Sequence, residues 1–151
     1  MTKFNIVLIE PEIPQNTGNI ARLCACTGAN LYLIGKLGFI LNDKYLKRAG
    51  LDYWDDVNLF KINTLEELIE QNPENNFYFL TTKTKRKYTD ISFKDGDFLV
   101  FGPESRGIPK STLDLHEDTC LTIPMREGQR SLNLSNSVAI VVYEAIRQLG
   151  L

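Results

Sequence analysis

The sequence predicts an α/β fold, mainly a parallel sheet with helices on both faces. Three observations predict it. Short, nearly continuous apolar runs recur at Phe4–Ile9, Leu31–Ile34, Phe77–Thr81, Phe98–Phe101 and Cys120–Ile123, as in strands buried on both sides. Segments with helical spacing or helix caps alternate with them. The carboxyl-terminal stretch, Cys120 to Gly150, runs from strand through polar loop to an amphipathic helix. In that helix Val138, Val141, Val142, Ala145, Ile146 and Leu149 fall at steps of three and four on one face.

The elements follow in order. After Phe4–Ile9, Pro11 and Pro14 keep residues 10–15 extended, and Asn16 or Thr17 caps a helix that runs to Thr27 and stops at Gly28. Leu31–Ile34 is the second strand. Asp43–Ala49 reads as a short helix ended by Gly50, residues 52–56 as a loop with Tyr53 and Trp54, and Val57–Ile62 as a strand. Thr64 with Glu67 forms a capping box for a helix that ends before Pro73. Phe77–Thr81 is a strand, residues 83–97 a polar loop, Phe98–Phe101 a strand and 102–107 a glycine-bounded turn. Pro109 opens a short helix containing Leu113. The strand Cys120–Ile123, the loop Pro124–Leu134 and the helix Ser135–Leu149, with Ser135, Asn136 and Ser137 as able caps, complete the chain. General rules draw this as an unknotted doubly wound sheet.

Composition narrows the class. The 151 residues are expected to form a single domain, residues 1–151, and 43% hydrophobic with 24% charged residues excludes a disordered chain. A net charge of −2 speaks against an overtly basic nucleic-acid module but leaves room for a local basic patch. Cys24, Cys26 and Cys120 lack metal-ligand spacing, so no metal is expected, and reduced, buried thiols in a cytoplasmic protein fit them better. The apolar amino-terminal run is too short for a signal peptide, and no stretch reaches membrane-spanning length.

Three polar loops follow strands and so gather on one side of an open parallel sheet. The first holds Asn16, Thr17, Gly18, Asn19 and Arg22, with Asn19 and Arg22 one turn apart on one face. It reads either as a cation beside a helix start, suited to a phosphate or a reacting oxygen, or as a plain cap with a solvated arginine. The second is Gly102-Pro103-Glu104-Ser105-Arg106-Gly107, where glycines permit close backbone approach. It is neither a P-loop nor a G-x-G-x-x-G turn. Glu104 either orients a cation or substrate amine, or sits in a surface Glu–Arg pair. The third carries Arg126, Gln129, Arg130, Ser131, Asn133, Ser135 and Asn136; Ser131 and Asn133, two apart, point the same way in an extended loop. A serine nucleophile needs a base. The single histidine, His116, lies in a polar run and is expected to be solvated, which disfavours a triad. Lys83, Lys85, Arg86 and Lys87 beside Tyr88, and Lys44, Lys47 and Arg48 before Tyr53 and Trp54, fit phosphate contact with base stacking as well as plain solvated charge.

The three loops, taken in order, resemble the SPOUT superfamily of RNA methyltransferases. The resemblance rests on I-P-Q-N-T-G-N-I-A-R (Ile13–Arg22), F-G-P-E-S-R-G (Phe101–Gly107), I-P-M (Ile123–Met125) and S-L-N-L-S-N (Ser131–Asn136). Within the superfamily the chain is most similar to the small single-domain tRNA 2′-O-methyltransferases that modify the wobble nucleotide, position 34, a cytidine or modified uridine. The resemblance implies a carboxyl-terminal trefoil knot and a cytoplasmic homodimer acting on the tRNA anticodon stem-loop. It implies S-adenosylmethionine bound against Leu80, Gly102, Glu104, Ile123, Pro124, Met125, Ser131 and Leu132. Catalytic roles fall on Arg22, Glu104, Ser131 and Asn133, and substrate contacts on Asn16 and Arg22; the basic side chains Lys85, Arg86 and Arg130 would add grip on the RNA, and Tyr143, beside the apolar stripe of the last helix, serves the substrate or dimer edge or is a core-edge tyrosine. A guanidinium keeps its proton beyond about pH 12, so stabilising the alkoxide or holding a phosphate suits Arg22 better than acting as base. Two rivals stand beside this reading. One is a catalytically inactive RNA-binding protein of the same fold; the other, from composition alone, is a flavodoxin-like nucleotide-binding protein, against which the missing phosphate loop counts.

Overall fold

In the computed structural model, which describes residues 3–41 and 54–151, the strands are β1 (Asn5–Ile9), β2 (Asn30–Ile34), β3 (Leu59–Ile62), β4 (Phe77–Leu80), β5 (Phe98–Phe101) and β6 (Cys120–Leu121). The helices are α1 (Pro14–Thr27), α2 (Leu65–Gln71), α3 (Lys110–Leu115) and α4 (Leu134–Leu149). The strands form one sheet in the order β3-β2-β1-β5-β4-β6, every pairing parallel. The expected short helix at Asp43–Ala49, its basic residues and Tyr53 lie outside the described residues.

Strand alternation divides the core into two layers. Ile6, Leu8, Leu31, Leu33, Leu99, Phe101 and Leu121 pack with Ile20, Ala21 and Cys24 of α1 and Val138, Val141, Val142 and Ala145 of α4. Val7, Ile9, Ile34, Phe77, Phe79, Phe98 and Val100 pack on the other face with Leu65 and Leu68 of α2 and Leu113 of α3. Both faces of the central strands are therefore dry, and each fully buried aliphatic side chain contributes about 1.5–3 kcal/mol. The amino ends of the strands are tied by a row of amides: Asn58 donates to Asn30 at 3.2 Å, Asn30 to Asn5 at 2.9 Å, and Asn5 to the Gly96 carbonyl at 3.0 Å. The carboxyl ends are left to the polar loops.

Several element boundaries differ from expectation. Helix α1 begins at Pro14 behind Ile13, which supplies no side-chain cap, so Asn16 and Thr17 are buried inside its first turn. Its other end is as expected, with Gly28 at φ 76° donating to the Cys24 carbonyl at 2.8 Å. Helix α4 is capped by Asn133, whose side chain accepts from the Asn136 amide, and not by Ser135, Asn136 or Ser137. Pro109 is the residue before α3, one position earlier than expected. The third strand starts at Leu59, and β6 is shorter than the apolar run predicted. Of the three cysteines, Cys24 and Cys120 are buried but Cys26 is exposed; none is in a disulfide.

Residues 83–97 are less open than a polar loop predicts. Thr122, just past β6, donates to the Arg86 carbonyl at 2.7 Å and accepts from the Tyr88 amide at 3.0 Å, while Thr81 donates to Leu121 at 2.9 Å. Strand β6 and the residue after it thus lie between β4 and the continuation of the same segment. Farther on, Gln148 of α4 accepts from the Phe93 amide at 2.8 Å and donates to the Ile91 carbonyl at 3.1 Å. The 81–97 segment straddles the carboxyl-terminal chain, an arrangement consistent with a trefoil knot and unlike a plain doubly wound sheet.

Candidate functional site

The adjacent strands β5, β4 and β6 end together, and the loops leaving them enclose a crevice of about 510 Å³. That volume falls within the range of about 300–1,000 Å³ typical of small-molecule sites. Leu80 supplies one wall, Gly102 to Gly107 a second, and Ile123, Met125 and Arg130 to Leu134 a third. Of the residues expected to hold a cofactor, Leu80, Gly102, Glu104, Ile123, Met125, Ser131 and Leu132 line it; Pro124 lies between two lining residues but is not one itself. Asn16, Asn133 and Arg130 also line it. Arg22, Lys85, Arg86 and Tyr143 do not. Lys83, from the basic run that fits phosphate contact, sits in the lining, exposed, with Arg130.

The walls are fixed by backbone packing. A Cβ on Gly102 would stand 2.2 Å from the Gly107 carbonyl carbon and from the Ile108 nitrogen, so only glycine lets the loop close on itself. The turn is held by the Gly107 amide donating to the Pro103 carbonyl at 2.8 Å, with Gly107 at φ 69°.

Glu104 has a definite local task. Its carboxylate accepts from the amide of Glu12 at 2.9 Å, the amide of Ile13 at 2.6 Å and the side-chain amide of Asn16 at 3.3 Å. It therefore supplies, from another loop, the cap that α1 lacks, and its charge suits the positive end of the helix. Asn16 in turn accepts from the Asn133 side-chain amide at 3.1 Å, and Asn133 also receives the Ser135 hydroxyl at 2.6 Å. Glu104, Asn16 and Asn133 thus join the three expected loops in one hydrogen-bonded chain linking the starts of α1 and α4. Removing the carboxylate in Glu104→Ala is expected to cost about 1–3 kcal/mol, with Glu104→Gln milder. Urea unfolding measures it, and an unchanged midpoint in Glu104→Ala would refute the capping role.

Of the two readings of Glu104, the surface Glu–Arg pair is not what the structure shows, since Arg106 pairs elsewhere. Arg106 meets Glu10 at 3.1 Å, both largely exposed, so that bond adds little. Glu12 accepts from the Ser105 amide at 2.8 Å and from its hydroxyl at 2.8 and 3.0 Å. The Ser105 amide, then its hydroxyl, hold the Glu12 carboxyl below the usual carboxylate range. Because the folded-state value is depressed, the stabilisation is present at neutral pH and is lost as pH falls through that lowered value.

Nucleophilic and metal chemistry find no support in the site. His116 is half-buried and stacks on Phe79 with centroids 4.5 Å apart, contrary to the expected solvated residue, and it does not line the crevice. Burial pushes the Cys24 thiol up to about 12, which leaves it protonated and inert. No cluster of three metal-capable side chains occurs among the described residues. Arg22 is exposed on α1, and Tyr143 is half-exposed on α4. Arg86 donates to the Asp118 carbonyl at 2.6 Å, which pins one side of its guanidinium; Lys85 is exposed.

Comparison with known proteins gives this geometry a context. The model of the SpoU rRNA Methylase family matches residues 3–143. The tRNA (cytidine(34)-2′-O)-methyltransferase of Escherichia coli K12 is 50% identical over 148 residues, which cover 97% of this chain and 94% of that protein. A solved structure concerned with 2-OH methylation of C/U34 on tRNA superposes with a TM-score of 0.91 at 42% identity, covering 98% of this chain and 97% of the other. The SpoU methyltransferase AviRb from Streptomyces viridochromogenes, in complex with the cofactor AdoMet, shares the fold at a TM-score of 0.85 and 22% identity, covering 98% of this chain and 58% of that one.

Proposed function

This chain belongs to the SpoU rRNA Methylase family, and we propose that it is a tRNA 2′-O-methyltransferase that moves methyl from S-adenosylmethionine to the ribose of nucleotide 34, a cytidine or modified uridine. The observation that carries the reading is the crevice at the ends of β5, β4 and β6. Its walls include the motif residues on which the SPOUT resemblance rests, and the relative at 50% identity spans nearly the whole chain.

The crevice fits the cofactor. Its volume is adequate, its glycine wall brings backbone close, and its apolar side chains (Leu80, Ile123, Met125, Leu132) leave recognition of a purine edge to main-chain groups. Gly102, Ile123, Met125, Ser131 and Leu132 would hold it. When bound, it supplies a methyl group activated by attachment to a sulfonium. The chain's own part is to place the ribose hydroxyl in line, since positioning can supply a large share of such a barrier. Asn16 and Asn133, locked to Glu104, fix the floor on which that happens. Lys83 and Arg130, exposed at the crevice, hold flanking phosphates, and Lys85 and Arg86 extend the cationic path along the RNA. Arg22 stabilises the alkoxide or an adjacent phosphate. Its position outside the crevice lining suits action on a second copy in a homodimer, with α4 and its exposed Tyr143 at the proposed contact. No helix among the described residues is long and apolar enough to cross a membrane; a tRNA substrate supports a cytoplasmic location.

The test is methyl incorporation from labelled S-adenosylmethionine into tRNA lacking its own 2′-O-methyl at position 34, followed by mapping of the modified nucleotide. Label on the ribose of nucleotide 34 is expected. Cofactor binding without incorporation would replace the enzyme by an inactive RNA-binding protein of this fold, and absence of cofactor binding would end the methyltransferase reading.

A further inference from the structure

The loop before α1 and the turn after β5 exchange carboxylates. Glu104 accepts the amides of Glu12 and Ile13, and Glu12 accepts the amide and hydroxyl of Ser105. A single point of attachment lets two loops pivot about each other; a second, offset by one residue on each side, stops the pivot. The third tie, Arg106 to Glu10, is exposed and weak. The backbone of Gly38 packs close beneath Glu12. A Cβ on Gly38 would stand 2.9 Å from the Glu12 Cα, and the Gly38 amide donates to the Pro11 carbonyl at 2.9 Å. Glu12 is thus braced from behind and bonded in front to the turn that forms one wall of the crevice, although its side chain does not line that crevice.

We propose that Glu12 is a positioning residue, whose carboxylate holds Ser105, and through it the Gly102–Gly107 wall, in register with the helix that carries Asn16 and Arg22. The inference rests on the methyltransferase reading and deepens it: cofactor site and substrate helix are kept in mutual register by one side chain that touches neither ligand. Bonds to a carboxylate are charge-assisted, and although these lie exposed to solvent, which weakens each, two of them converge on one residue of the wall. The depressed carboxyl value agrees with a carboxylate bonded to Ser105 at neutral pH.

The experiment compares the wild-type chain with Glu12→Ala and Glu12→Gln, the latter keeping one acceptor oxygen. In the cofactor-free protein, exchange of the Ser105 amide is followed by NMR. Cofactor affinity is then measured by calorimetry, and kcat and KM by methyl transfer. Glu12→Ala is expected to speed Ser105 exchange by about tenfold and to weaken cofactor binding by about tenfold, with the KM for tRNA unchanged and Glu12→Gln between. A role confined to folding would lower the melting temperature and the active fraction at unchanged cofactor affinity, and that result overturns the proposal. So does wild-type exchange at Ser105. If Glu12→Ala does not fold, Glu12→Gln and Ser105→Ala carry the same comparison. If the wild-type chain neither binds cofactor nor methylates tRNA, the functional reading falls, while amide exchange in the free protein still decides whether Glu12 holds the wall.

Discussion

Gly102→Ala is expected to abolish binding of S-adenosylmethionine, and methyl transfer with it. The added methyl would lie 2.2 Å from both the Gly107 carbonyl carbon and the Ile108 nitrogen and 2.8 Å from the Gly107 Cα. These are backbone atoms, so no side-chain rotation relieves the clash. Ile108 is buried against the α2 and α3 layer, which blocks retreat on that side. The turn must therefore open, at a cost of about 1–3 kcal/mol, and the crevice wall moves with it. Gly107→Ala is the control. Nothing lies within 4 Å of its Cβ, and the penalty is the φ of 69° alone, about 1–2 kcal/mol of local strain without a collision. Calorimetric titration with cofactor separates the two: Gly107→Ala keeps measurable binding and Gly102→Ala shows none. Wild-type affinity in Gly102→Ala would mean that the wall does not contact the cofactor.

The distribution of foldable and functional information explains what could be read without coordinates. The strands were legible because burial on both faces leaves unbroken apolar runs, as in Phe98–Phe101, all buried. Helix α4 was legible because its stripe of valines has one period. The start of α1 was not, because its cap comes from Glu104 in another loop, and no local pattern reports a partner so distant in sequence. The same distance hid the capping task of Glu104, for which local chemistry offered only a ligand-orienting acid or a surface pair with an arginine. Glu12 escapes a reading of the sequence for a related reason. It is an acid between a proline and an isoleucine, and only the folded chain brings it against Ser105 of the crevice wall; Lys83, one cation of a basic run, is set apart from its neighbours only by its place in the lining. His116 looked solvated because its sequence neighbours are charged, yet Phe79, on a strand, takes its ring.

Arg22→Ala is expected to lower methyl transfer by about 10²–10³-fold while leaving cofactor affinity unchanged. The magnitude is that of removing one electrostatic stabiliser of developing negative charge. Affinity is spared because Arg22 is exposed on α1 and does not line the crevice. Arg22→Lys should recover only part of the loss, since an ammonium keeps the charge but not the planar fork that grips phosphate or alkoxide at two points. Mixing then tests how the residue reaches the reacting oxygen. Arg22→Ala has an intact crevice and no guanidinium; Gly102→Ala has the guanidinium and no crevice. In the proposed homodimer, if Arg22 serves the opposite subunit, subunit exchange between these two inactive proteins creates one complete site per mixed dimer, and activity returns as exchange proceeds. If each arginine serves its own crevice, every mixed dimer stays inactive, and the resident helix α1 must move toward its own crevice during the reaction. Loss of cofactor affinity in Arg22→Ala would instead make the arginine part of the cofactor site, against its placement on the outer face of α1.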